Sequence, residues 1–598
     1  MLEVLFIIIA GVFWLVSSVN KQKQKQAEQQ KREAAVRALQ AAAAAKSAAA
    51  QAPHSVPAPS IRPTVAAPAP ALPFTSPPRL PQNRMRPRPP QTTLLFLTRR
   101  AHATPFCTQR SSPGQKRCGA DGSDRITDKR SMTATQHQEK KSSTIRIVCT
   151  AVPILALLAG FAYWLYTGSA VRIASVVSAA ALLFLFAVCL IRLVPQWQRA
   201  WSGEPIPAPD ANAGRRSGRK RRMHPFFRIA FTVALSRIVL FLAAYLLLYR
   251  QNGYTGGVFD CLSLWASEGS NAADYLLLAA RWYDAESGLL TLFPFFPALL
   301  RVLGYVFRNT LVTGLFVSNM AFVFAACLLY ELALFDMERD AALRAVVYLC
   351  LLPGSLLFMQ PLPDSLFLLL SVASLYFVRK KRYLFAALLG MFAAFTHLLG
   401  VLLLLPALIE LIGELRADRL VASDMRALSR AYTGRFLALL LIPAGFGLYL
   451  YINWQVSGDP FRFIAAYRAR GQGLSFFFQA AAQQILYLLQ SLRDQNLHET
   501  VVLWGANLLA LFGSLAILIP AIPRLRSSYS AYFLAAFALI AGVSPFVCLP
   551  RCLAMLFPLP LAFSCAAKKR IWHVLFMALL LAFLSVYLYA FVRGWRLG

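Results

Sequence analysis

An all-α polytopic membrane protein is the fold class this sequence predicts, on three observations. Hydrophobic side chains make up 58% of the 598 residues and charged ones 15%, where a soluble domain sits nearer half apolar and a quarter charged. Apolar runs long enough to cross about 30 Å of hydrocarbon recur along the chain. Basic clusters stand at the ends of those runs, as the orientation of membrane spans requires.

The net charge of +35 raises nucleic acid as a partner, but its placement argues otherwise. Residues 1–224 hold 32 Lys and Arg against 9 Asp and Glu, spread through low-complexity sequence and flanks of apolar runs. Charge so placed orients spans and meets anionic membrane lipids. No basic module interleaved with aromatics is present, so nucleic acid is not expected as a partner. The ten Cys are scattered without a CxxC pair, which suggests neither a metal site nor a disulfide framework.

Taken in order, residues 1–20 read as an uncleaved membrane anchor. The run Leu2–Val19 lacks a basic start and is followed at once by "NKQKQKQAEQQKREAA", which places its C-terminal side in the cytoplasm. Residues 21–144 are Gln/Ala-rich, then Pro/Ala/Arg-rich, then polar. Such a composition buries too little apolar surface to offset chain entropy, so a disordered linker is expected. Residues 145–195 form a two-span hairpin, "IVCTAVPILALLAGFAYWLY" and "IASVVSAAALLFLFAVCLIRLV". A basic linker, 196–223, ends in "RRSGRKRR".

The segment 224–598 carries the functional signal. Basic blocks at 215–222, 379–382, 414–435, 523–526 and 568–570 all belong on the cytoplasmic side. The first loop, 250–290, holds five acids (Asp260, Glu268, Asp274, Asp284, Glu286) against two bases, as an external loop does. Four apolar runs separate that loop from "RKKR" (379–382), yet returning inside needs an odd number of crossings. The run that fails to cross is 291–307, "TLFPFFPALLRVLGYVF", with two early prolines and Arg301 in its middle. Charge at mid-depth is costly and Pro removes helix hydrogen bonds, so this run is read as an interfacial helix. About ten crossings then complete the segment.

"NAADYLLLAARWYD" (271–284) followed by "LLTLFPFFPALLRVLG" resembles the PIG-V mannosyltransferase family and its bacterial relatives, a branch of the GT-C glycosyltransferases. Further matches follow in the family's order: "LLPGSLLFMQPLPDSLFLLLSVASLYFVRKKR", "AAFTHLLGVLLLLP", "VSGDPFRFIAAYRARG" and "LPRCLAMLFPLPLAF". Each is weak alone; the ordered set covers roughly residues 224–593. The resemblance implies a GT-C-like bundle with a long external first loop. It implies an enzyme of hexosyl transfer, from a polyprenyl- or dolichyl-phosphate sugar donor to a lipid-linked or glycolipid acceptor on the external face. No cofactor or metal is generally required. A bacterial cell membrane is the expected location, or the endoplasmic reticulum membrane in a eukaryote.

An inverting transfer needs a base for the acceptor's proton and cationic groups for the departing phosphate. Anchored on Tyr275, Ala279 and Tyr283, the family's Asp falls on Asn271, and an amide cannot take that proton. Asp274 lies three residues on, on the same helical face. Either Asp274 carries the carboxylate role with Asn271 positioning the acceptor, or the site binds lipid without turnover. Tyr275, Tyr283, Asp364, His397 and Arg551 are carried over as substrate-binding residues. Each has a plainer role beside that one. Asp364 would cap a helix, His397 would be a loop histidine rather than a pH-dependent phosphate contact, and Arg551 would snorkel at a span mouth. Asp459 reads as a turn acid. Trp282, Tyr283, Phe295 and Phe296 serve equally as sugar-stacking rings or as an interfacial aromatic belt.

Overall fold

The computed structural model describes residues 150–167, 173–202, 225–252, 260–266, 270–284, 288–421, 424–544 and 548–595. All belong to one compact unit, Lys116–Gly598. The expected anchor, the whole of the expected linker and positions 203–223 of the basic linker lie outside the described residues, as do Glu268 and Glu286.

The described chain is almost wholly helical. It begins with α1 (Thr150–Thr167), α2 (Ile173–Ser202) and α3 (Pro225–Asn252). A 3₁₀ turn (Asp260–Ala266), α4 (Asn271–Arg281) and α5 (Phe295–Phe307) follow. Next come α6 (Thr310–Ala333), α7 (Arg339–Leu351), a 3₁₀ segment (Pro353–Met359), α8 (Asp364–Arg379) and α9 (Tyr383–Thr396). A 3₁₀ turn (Leu398–Leu403) leads into α10 (Leu404–Val421), then α11 (Met425–Leu439), α12 (Leu441–Ser457) and α13 (Arg462–Ala469). The last third holds α14 (Phe477–Arg493), a π turn (Glu499–Gly505) running into α15 (Ala506–Ala521), α16 (Ser527–Ala541), α17 (Leu549–Ala554), α18 (Pro558–Ala566) and α19 (Arg570–Val592). One two-residue antiparallel pairing, Gly473–Leu474 with Val543–Ser544, joins the start of α14 to the end of α16.

Among the described residues eight helices are long and apolar enough to cross a membrane, or nine if the bent pair α7 and Pro353–Met359 counts as one span. The protein is an all-α, multi-pass integral membrane protein. The sequence reading gives about ten crossings after residue 224; six of the eight long helices begin there. The difference lies in short helices within the bundle. α8 spans 16 residues and α9 14, about 24 and 21 Å of helix at 1.5 Å per residue. Along most of α8 the side chains are buried, so its backbone is screened by neighbouring helices rather than by its own length in lipid. The helix α5 has 13 residues, about 20 Å, short of a full crossing. It buries Phe296, Pro297 and Leu300 and exposes Val302, Tyr305 and Val306.

The hairpin is not set apart from the rest. Ser178 Oγ donates to the Ala481 carbonyl (3.0 Å) and Arg192 Nη1 to that of Ile519 (3.0 Å). Gln196 reaches the Ile522 carbonyl, and Phe186 packs on Phe477 with ring centres 4.6 Å apart. Segments 145–195 and 224–598 therefore share a core. Small residues let helices approach elsewhere: a side chain at Gly445 on α12 would meet the Met391 carbonyl of α9 at 2.0 Å, the close packing that substitutes for hydrophobic drive inside a bilayer.

Between α7 and the Pro353–Met359 segment the chain bends by 70°, and Pro353 sits at the break because its ring cannot continue the helix. The carbonyls this frees are taken by side chains. Arg237 Nη1 donates to Ser355 O (2.7 Å), Asn319 Nδ2 to Met359 O (3.3 Å), Ser365 Oγ to Phe358 O (3.2 Å) and Ser318 Oγ to Leu362 O (3.1 Å). Irregular backbone survives at membrane depth only when so satisfied.

Candidate functional site

Asp364 is the first residue of α8 and is 1% exposed. Its carboxylate does not cap the helix. It faces Arg551 on α17, whose Nε donates to Oδ2 (2.9 Å) and Nη2 to Oδ1 (3.3 Å). This two-pronged arrangement is the strong form of a charge-assisted pair. The N-terminal end of α8 adds a partial positive charge beside the carboxylate. Arg551 rests on the broken segment below: a side chain at Gly354 would meet Pro550 O at 2.2 Å and Arg551 Cα at 2.7 Å. Only glycine admits α17 at that depth.

His397 and Tyr275 share this neighbourhood. His397 ends α9, outside it and outside the apolar segment that follows. Its Nδ1 accepts from the Leu399 amide (3.2 Å). An N–H donor at Nδ1 fixes the neutral ring as the Nε2–H tautomer. Burial pushes its pKa down to about 4, with Asp364 opposing and Arg551 reinforcing that shift. The ring is therefore a neutral donor at ordinary pH, held between Phe293 and Phe367 with centres 6.2 and 5.2 Å away. Burial pushes the Tyr275 phenol up, and Tyr467, Asp364 and Arg551 all act on it electrostatically. Among the predicted residues, Tyr275, Asp364, His397 and Arg551 thus come together, from positions as far apart as 275 and 551.

Tyr275 reaches the site because of how α4 folds. Ser270 caps it, its hydroxyl accepting from the Ala273 amide (3.3 Å), and Trp282 closes it with a positive φ of 70°. Ala272, Tyr275, Leu278 and Ala279 form its buried stripe, spaced as one face of a helix. Asn271 lies at its exposed start, and Asp274 is half-buried. With the described residues Asp274 makes no ion pair and no side-chain hydrogen bond, so its carboxylate is unclaimed where that of Asp364 is taken.

The turn 288–294 is where the sequence reading saw least. Three tyrosines from three elements donate to three consecutive carbonyls: Tyr449 to Leu290, Tyr467 to Thr291 (3.2 Å) and Tyr283 to Leu292 (2.7 Å). Arg470 Nη2 adds a contact to Gly288 O (3.3 Å), and Phe293 stacks on Tyr449 with centres 4.3 Å apart. Tyr283 spends its hydroxyl on this scaffold. Tyr449 lies in no quoted motif, and Tyr467, within "VSGDPFRFIAAYRARG", is not among the candidate residues, so only their tertiary contacts reveal the role. Asp459 accepts from the Phe461 amide (2.9 Å) and shapes its turn. Phe295 stacks on Phe392 (4.8 Å) and Phe296 edges Tyr275 (5.7 Å). Among the described residues no three His, Cys, Asp or Glu side chains gather as a metal cage requires. No protein-family model matches the chain, and neither does any curated protein sequence.

Proposed function

We propose that the protein is a membrane glycosyltransferase, a mannosyltransferase by its resemblance to the PIG-V family, acting on the external face. It would move a sugar from a polyprenyl- or dolichyl-phosphate donor to a lipid-linked or glycolipid acceptor. The observation that carries the reading is the convergence of Tyr275, Asp364, His397 and Arg551, with Asp274 one residue before Tyr275 on α4.

Each group has a task that its surroundings allow. Arg551 uses Nε and Nη2 on Asp364, which leaves Nη1 for a departing phosphate, the group a guanidinium fork suits best. His397, neutral with Nε2–H free of described partners, offers that phosphate a hydrogen bond without charge. Asp274 takes the acceptor's proton, since its carboxylate is not engaged by a guanidinium as that of Asp364 is. Asn271, one turn away at the open end of α4, orients the acceptor hydroxyl. Phe293 and Tyr275 supply ring surface to the sugar.

A second reading, a polyprenyl-lipid binding or transport component without turnover, is favoured by Asn271. An amide stands there where the family pattern has an acid. One assay separates the two: purified protein in lipid, radiolabelled polyprenyl-phosphate mannose and extracted membrane glycolipids. Label passing to a glycolipid supports transfer; donor binding with no label moved supports the second reading.

A further inference from the structure

We infer that Asp364 and the polyprenyl phosphate headgroup compete for Arg551, so that ligand binding exchanges a resting ion pair for a lipid-phosphate contact. The inference rests on the reading that Arg551 meets the donor's phosphate, and it adds what happens to the carboxylate.

Three observations lead to it. The first is order of access: the Arg551 side chain is 15% exposed and Asp364 1%, so a ligand meets the guanidinium first, with the carboxylate behind it. The second is charge. The groups that face the pair are Tyr275 on α4, His397 after α9, and Cys548 and Cys552 flanking Arg551. None is a second cation, because His397 is neutral. Arg551 and Asp364 therefore offset each other's charge at rest, and an anion entering faces Asp364 with one Arg to share. The third is geometry. Asp364 takes both prongs of the fork, Nε and Nη2, and a phosphate that seeks the same two-pronged contact must displace it.

The test measures binding of an undecaprenyl monophosphate to the full chain in phosphatidylcholine nanodiscs, with undecaprenol and inorganic phosphate as separate arms. Wild type should bind the lipid phosphate, and Arg551→Gln should lose it. Asp364→Asn should tighten binding by about tenfold, the scale of a charge-assisted contact no longer contested. Weaker or unchanged binding in Asp364→Asn, with Arg551→Gln still deficient, overturns the exchange and leaves the phosphate role of Arg551 standing. Undecaprenol binding as well as its phosphate, or no wild-type binding at all, removes both. Inorganic phosphate competing with the lipid supports exchange at the headgroup alone. If Asp364→Asn is unstable in extraction, the lipid phosphate should raise its melting temperature more than it raises that of wild type. A variant that the lipid fails to rescue counts against the exchange.

Discussion

Single side chains decide what the site can do. If Asp274 is the base, Asp274→Asn removes the proton-transfer contribution, worth about 10² to 10⁴ in rate. Donor affinity should stay nearly unchanged in that variant, and a transfer assay run beside a binding assay checks both. Transfer that survives Asp274→Asn would move the base to another acid. His397 gives a pH signature. Its folded pKa is about 4, below the ordinary 6.5, so the unfolded chain binds the extra proton between those values. The stability His397 contributes is complete above pH 6.5 and is lost as pH falls toward 4. Melting curves should be flat in this respect above 6.5 and slope below it. His397→Asn, whose side-chain oxygen can still accept from the Leu399 amide, should flatten that slope without unfolding the turn. The sequence made Asp364 and Arg551 visible as separate candidates, each beside a proline or a span end. It could not show that they face each other, because 187 residues separate them and pairing of that range is set by packing.

Elements hold those side chains at a common depth. Gly354→Ala would force a methyl group into the Pro550 carbonyl. Overpacking of this kind costs about 1–3 kcal/mol, and here it should also lower lipid-phosphate affinity by displacing α17, with no charge altered. A binding assay on folded Gly354→Ala protein checks this. Hydropathy does not register the bend between α7 and the Pro353–Met359 segment. The proline at its centre was the available signal. The hairpin shows a similar limit. Its helices were legible from length and composition, but its attachment was not, because contacts such as Arg192 to Ile519 connect distant segments. Removing residues 1–140 should leave insertion and folding intact, whereas removing 1–202 strips α2 from α14 and α15. Comparing detergent melting temperatures of the two truncations tests this; equal stability would mean that α2 is not part of the core.

Over the whole molecule, the positive-inside pattern predicts which side each loop faces. In a cysteine-depleted background, Cys at Ala285 should react with an impermeant thiol reagent from outside, and Cys at Lys380 only after permeabilisation. Asn309→Cys labelled solely from inside would remove the interfacial reading of α5. At the end of α8 opposite Asp364 lies a second ionic cluster. Arg379 pairs with Asp336, and Arg526 bridges Asp336 (3.2 Å) and Glu410 (2.6 Å), with Ser528 donating to Glu410 (2.6 Å). Both Arg379 and Asp364 belong to α8, while Arg526 and Arg551 bracket the stretch from α16 to α17. These two stretches are thus riveted at both ends, about 24 Å apart along α8. Such a strut transmits load: a pull on one rivet reaches the other without any change in the helix between. A load on the ion pair at Arg551 would reach Arg379, at the other end of α8, as tension in the rivet there.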